Sequence, residues 1–219
     1  MSTTKTPTAI QKRAQNRKAL APFALHNLKE KLPLVLSPDP NLPPSPKPRY
    51  RSAYRYPGLE DLNQDTLETF SQFEIGVRLF DYSSLELLLA AHVYRASAKG
   101  QVPFHPVSMY LLSLYRRERN LSRHEVLRIL RHPVDGQTLR YCTGFADKFP
   151  SESGLRYFEG QLRPELQMEI NALQLDALYR AGLLPAKPGA EDDTQATLSF
   201  DGMLHEARSR MRCSNVKAG

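Results

Sequence analysis

Phe104 to Leu162, a compact run of short helical patterns with sharp punctuation, constrains the fold more than any other stretch. It opens at His105-Pro106-Val107-Ser108, and Met109, Leu111, Leu112, Leu114 and Tyr115 then recur at helical spacing until the polar break Arg116-Arg117-Glu118-Arg119-Asn120. Ser122 with Glu125 three residues on predicts a capping box. The helix it starts carries Val126, Leu127, Ile129 and Leu130 and stops at His132-Pro133, because proline cannot continue it. Asp135 is the expected cap of a third segment with Leu139, Tyr141 and Cys142 inward and Gly144 at its end. Pro150-Ser151 begins a fourth, with Leu155, Tyr157 and Phe158 inward. Helices of about ten residues joined by tight turns predict a mainly α protein, a helical bundle with helix-turn-helix-like segments.

The flanks extend this pattern. Residues 59–75 space Leu59, Leu62, Leu67, Phe70, Phe73 and Ile75 as an amphipathic helix. From Leu85 a second helix is apolar almost all round, which predicts a central, buried element ending near Ala98-Lys99-Gly100. Pro164 opens the longest helix, with Leu166, Ile170, Leu173, Leu175, Leu178 and Leu183 as its stripe and Gly182 at its end. Residues 58–184 thus form one helical domain. Residues 185–196 are polar linker, and at 197–219 the period changes. Thr197-Leu198-Ser199-Phe200 alternates like a strand, Asp201-Gly202 turns, and a C-terminal β-hairpin is expected.

Charge and proline are concentrated ahead of this body. Residues 1–57 hold ten of the 17 prolines and eleven Lys/Arg against Glu30 and Asp39, a balance of +9. The chain as a whole carries +7, so the remaining residues net −2. Such a stretch cannot build a core alone and reads as a largely disordered basic arm, suited to phosphate backbones or simply solvated. Its composition is also compatible with a transit peptide. Tyr50, Tyr54 and Tyr56 alternate with Arg49, Arg51 and Arg55. That mixture suits nucleic acid, and equally suits an arm laid across its own domain with rings down and guanidiniums out.

Two cysteines, Cys142 and Cys213, argue against a disulfide scaffold, and no apolar run is long enough to span a bilayer. A cytoplasmic protein with no membrane association is expected. No phosphate-binding glycine loop or dinucleotide fingerprint occurs. His124-Glu125 and His205-Glu206 begin a zinc-protease motif, but Arg128 and Ser209 stand where its second histidine belongs. His124, His132 and Cys142 match no zinc spacing.

The run FHPVSMYLLSLYRRERNLSRHEVLRILR, then LRYCTGF, PSESGLRYF, a long helix and TLSFDG resembles the N-terminal part of bacterial insertion-sequence transposases. The likeness covers roughly residues 100–216. In that family a helical DNA-binding region precedes a ribonuclease-H-like catalytic domain of the DD(E/D) type. The resemblance implies that Asp201 is the first catalytic carboxylate, a ligand for two Mg2+ ions shared with two further acids. Fewer than twenty residues follow Asp201, and Glu206 is too near it to replace the missing acids. A truncated or split transposase is therefore expected, inactive alone and holding Mg2+ poorly. Its expected partners are double-stranded DNA at the element's ends and a second polypeptide carrying the rest of the catalytic domain. Without the family, Asp201-Gly202 reads as a hairpin turn.

The same resemblance makes the outward arginines of the short helices the expected DNA contacts: Arg116, Arg117, Arg119, Arg123, Arg128, Arg131, Arg140 and Arg156. Contacts of this kind position a protein on phosphate rather than read sequence. Glu118 and Glu125 interleave with the first group, as on an ordinary solvated face. A helix-turn-helix regulator with a dimerising hairpin and a helical interaction module are the competing readings.

Overall fold

Helices this short are marginal in water and hold only by packing on one another. The computed structural model describes residues 31–45, 49–59, 69–94 and 101–183. Asp201, the expected hairpin, the 185–196 linker and residues 1–30 lie outside them.

Strand β1, Leu34–Val35, pairs in parallel with β2, Phe80–Asp81, in the register Leu34 to Phe80 and Val35 to Asp81. Helix α1, Gln72–Leu79, precedes β2. A capping box starts it: Ser71 Oγ accepts from Glu74 N at 3.2 Å, and the Glu74 carboxylate accepts from Ser71 N at 2.8 Å. Of the expected helix over 59–75, residues 60–68 lie outside the described residues; its end is corrected, because Ser71 begins a new helix that runs four residues past Ile75. A 3-10 turn, Tyr82–Leu85, leads into α2, Glu86–Val93. Leu88, Leu89, Ala90 and Val93 of α2 are buried, whereas Leu87 is not. The helix ends at Val93 rather than near Ala98. Tyr94 is already extended, and its hydroxyl donates to Phe104 O at 2.6 Å, tying the exit to the next element.

Helix α3, Pro106–Glu118, is the hub, a place the sequence suggests for α2. Every residue from Pro106 through Ser113 is buried, which requires neighbours on all sides. Those neighbours are α1, α2, α4 (Arg123–Arg131), α5 (Gln137–Thr143) and α6 (Glu152–Gln161). Leu111, Leu112, Leu130, Leu155 and Phe158 fill the space between them, each contributing about 1.5–3 kcal/mol by burial.

Helix α4 starts as expected: Ser122 Oγ accepts from Glu125 N at 3.1 Å, and Glu125 accepts from Ser122 N at 2.8 Å. A hydrogen bond from the Ser122 side chain, and then the one from its N–H, hold the Glu125 carboxyl below its usual range. Helix α5 begins after Gly136, not at Asp135, which provides no side-chain cap. A Cβ at Gly136 would collide with the carbonyl oxygens of Ile129, Leu130 and His132, so the turn needs glycine. Gly144 ends α5 at φ +74°, as expected.

Three inward assignments are corrected. Tyr141 and Tyr157 are 53% and 46% exposed, because Leu139–Cys142–Thr143 and Leu155–Phe158 complete the buried stripes of α5 and α6. On α7, Pro164–Arg180, the buried line is Leu166, Ile170, Gln174 and Ala177, and Leu175 is exposed. Gln174 goes inside because its Nε2 donates to the Tyr82 hydroxyl at 3.0 Å. Residues from Leu178 belong to a second compact unit, of which only the end of α7 is described. There Gly182 takes φ +65° and Leu183 N donates to Leu178 O at 2.9 Å. No helix among the described residues is long and apolar enough to cross a membrane.

Candidate nucleic-acid interface

The eight arginines expected on DNA divide by what already holds them. Arg116 Nε donates to Glu159 Oε1 and Arg123 Nε to Glu159 Oε2, both at 2.6 Å. The Glu159 side chain is only 5% exposed, so one α6 carboxylate ties α3 to α4. Arg116 also donates to Leu121 O at 3.0 Å, and Arg117 donates to Gln167 Oε1 at 2.7 Å. Arg140 donates to three carbonyls at the end of α4, Leu130 O at 2.9, His132 O at 2.7 and Pro133 O at 2.8 Å. It serves as the C-terminal cap of its neighbour. Arg116, Arg117, Arg123 and Arg140 are therefore structural ties before they are anything else.

The other four face solvent. Arg119 lies over the Tyr115 ring at 5.8 Å, and Arg131 donates to Pro150 O at 3.2 Å while staying exposed. Arg128 and Arg156 are exposed and make no hydrogen bond or ion pair among the described residues. Arg123, opening α4, meets Glu159 late in α6, whereas Arg131, closing α4, meets Pro150 just before α6. The two helices are therefore antiparallel neighbours, with Arg128 on one and Arg156 on the other. Between Arg116 and Arg163 the chain carries ten Lys/Arg against six Asp/Glu, a balance of +4. The rest of residues 58–219 sums to −6, so charge is segregated within the body as well as along the chain.

The Arg–Tyr segment 49–57 lies across the helical body. Arg51 N donates to Pro103 O at 2.8 Å, Ala53 N to Gly144 O at 3.3 Å, and His105 N to Ser52 Oγ at 2.9 Å. Tyr54 is buried and Tyr50 and Tyr56 half-buried, whereas Arg49 and Arg55 are exposed. Rings face down and guanidiniums out, one of the two arrangements the alternation allows. Tyr50 packs edge-on against the His105 ring at 4.9 Å. Gly144 permits the crossing twice over, since its φ is positive and a Cβ there would strike the Ala53 carbonyl oxygen. Where the segment passes the end of α5 it walls an open groove of about 610 Å³. Arg51, Arg55, Arg140, Tyr56, Tyr141 and Phe145 line it, and no Asp or Glu does.

Burial, with Asp81 nearby, pushes the Tyr56 phenol up to about 12, so it stays neutral. Burial also lowers the His105 imidazole, outweighing the Glu86 carboxylate 3.2 Å from its Nε2. The Cys142 thiol is raised to about 11 by burial, despite the Arg78 guanidinium beside it, so the thiolate is disfavoured. Arg78 itself is buried against the Phe70 ring at 4.4 Å. Glu159 does not stand out in the sequence, because its partners Arg116 and Arg123 lie 43 and 36 residues away. His124 and His132 are exposed while Cys142 is buried. Among the described residues no group of three or more His, Cys, Asp or Glu is placed to hold a metal ion. No protein-family model, no curated protein and no solved structure matches the chain.

Proposed function

We propose that the helical body binds double-stranded DNA, as the DNA-binding portion of a transposase-like protein acting at element ends. The observation that carries the reading is the pair Arg128 and Arg156, exposed and without a hydrogen bond or ion pair among the described residues, on adjacent antiparallel helices within a net-basic stretch of the body. Guanidiniums on packed helices suit phosphate contact, because the frame fixes where each side chain leaves the surface and the planar fork matches phosphate oxygens. The transposase assignment rests on the order of segments and on TLSFDG. Mg2+ belongs in this proposal to the carboxylates of a complete catalytic domain, to which Asp201 would contribute one. A second polypeptide would supply the others.

The test is a titration of the purified chain at two salt concentrations, with a duplex bearing the DNA that flanks its own gene and an unrelated duplex. Salt-sensitive binding that prefers the flanking ends supports the proposal. Salt-sensitive binding with no preference for ends points instead to a non-enzymatic regulator. No salt-sensitive binding to either would leave a helical interaction module.

A further inference from the structure

The groove between segment 49–57 and α5 is a second place with recognisable chemistry, and it uses none of the exposed α4–α6 arginines. Its volume falls within the roughly 300–1,000 Å³ typical of ligand sites. Its charge is of one sign, with Arg51, Arg55 and Arg140 on the walls and no carboxylate to neutralise them. Arg140 is immobilised by three carbonyls and so presents a fixed positive charge. Arg55 is exposed and free to follow a ligand.

Between these charges sits an aromatic surface. Tyr141 is 53% exposed although its hydroxyl is held by Pro57 O at 2.8 Å and the Arg78 guanidinium lies 5.9 Å from its ring centroid, so the residue is displayed and oriented at once. An exposed ring fixed by its own hydroxyl, next to guanidiniums, is the combination that stacks an unpaired base while neutralising its phosphates. A B-form duplex keeps its bases paired and stacked on each other and has no base face to give this ring. An acidic peptide would match the charge, whereas a nucleotide brings an anion and a flat ring together in every unit.

We propose that this groove binds a single-stranded nucleic-acid segment, with a base on Tyr141 and phosphates near Arg55 and Arg140. The inference is independent of duplex binding through Arg128 and Arg156.

The test uses the full chain and labelled oligo-dT and oligo-U strands of about 12 nucleotides, within the span one small domain covers. Tyr141→Leu is expected to weaken binding about tenfold, the loss of one stacked base. Tyr141→Phe keeps the ring but loses the bond to Pro57 O, and is expected to bind between the parent and the Leu variant. Arg55→Glu weakens both strands, and the stronger of dT and U identifies the sugar preferred. Binding of the Leu variant equal to the parent would overturn the proposal. A second readout does not depend on variants. A 5-bromouracil strand irradiated on the parent protein should crosslink within residues 50–57 or 140–146, the two segments that line the groove, and crosslinking only outside both would also sink it. Duplex titration of Arg128→Glu/Arg156→Glu, run alongside, reports separately on the duplex reading.

Discussion

Arg116 and Glu159, 43 residues apart in sequence, meet through a 2.6 Å charge-assisted hydrogen bond, and Arg123 closes on the second oxygen of the same carboxylate. One nearly buried acid thus neutralises two cations from two other helices. Removing it leaves both guanidiniums uncompensated near the core. Glu159→Ala is expected to lower unfolding free energy by about 2–4 kcal/mol, below the range for fully buried pairs because both arginines keep some solvent. Arg123→Ala should cost only about 1 kcal/mol or less, its side chain being 35% exposed. Urea denaturation of the two variants checks the order, and equal losses would refute it.

Gly144 offers a sharper test of how the arm is held. A methyl at this position needs a left-handed backbone and also meets the Ala53 carbonyl. Gly144→Ala is expected to cost about 2 kcal/mol or more, strain and clash together. The damage should be local, so hydrogen exchange at Ala53 N and Arg51 N should accelerate more than within α3. Uniform acceleration would show that segment 49–57 has no separate release.

Acid should loosen the same region. His105 has its pKa lowered from the ordinary 6.5, burial outweighing Glu86, so the folded protein resists a proton that the unfolded chain accepts. Stability present above 6.5 is therefore lost as pH falls through that value toward the folded pKa, at no more than about 1.4 kcal/mol per pH unit for one proton. Tyr50 and Tyr54, the other rings facing His105, stay neutral throughout, their phenols being raised by burial. Glu118, raised by burial, acts in the opposite direction, since the folded state gains its proton more readily. That contribution is common to parent and variant. His105→Gln should flatten the slope of stability against pH near 6, and an unchanged slope would exclude His105 as the source.

Local rules were readable wherever partners sit within a few residues. Ser122 and Glu125 announced their capping box, His132-Pro133 the stop and Gly144 the left-handed end, because each acts within one turn. Side-chain direction was harder. Tyr141 and Tyr157 looked like core by hydrophobicity, yet a short helix has one buried line, and Leu139–Cys142 and Leu155–Phe158 already occupy it. Gln174 displaced Leu175 from the interior because Tyr82, 92 residues earlier, offered a hydroxyl. The expected DNA-contact arginines show the same limit: spacing placed them outward but gave no sign that Glu159 or the α4 carbonyls had claimed several of them.

That partition predicts a signature in binding. Counterion release makes the logarithm of affinity fall with the logarithm of salt, by about 0.9 for each phosphate neutralised on a duplex. If Arg128 and Arg156 each meet a phosphate, Arg128→Ala/Arg156→Ala should reduce that slope by about 2 while leaving unfolding free energy within about 0.5 kcal/mol of the parent. Arg140→Lys should do the reverse, because it keeps the charge but cannot satisfy three carbonyls from one ammonium. Its slope should stay unchanged while stability falls by about 1–2 kcal/mol. Measuring both quantities for both variants separates arginines that hold the protein together from arginines that hold DNA. Intact stability in the Arg140→Lys variant would show that the three carbonyls do not depend on the guanidinium.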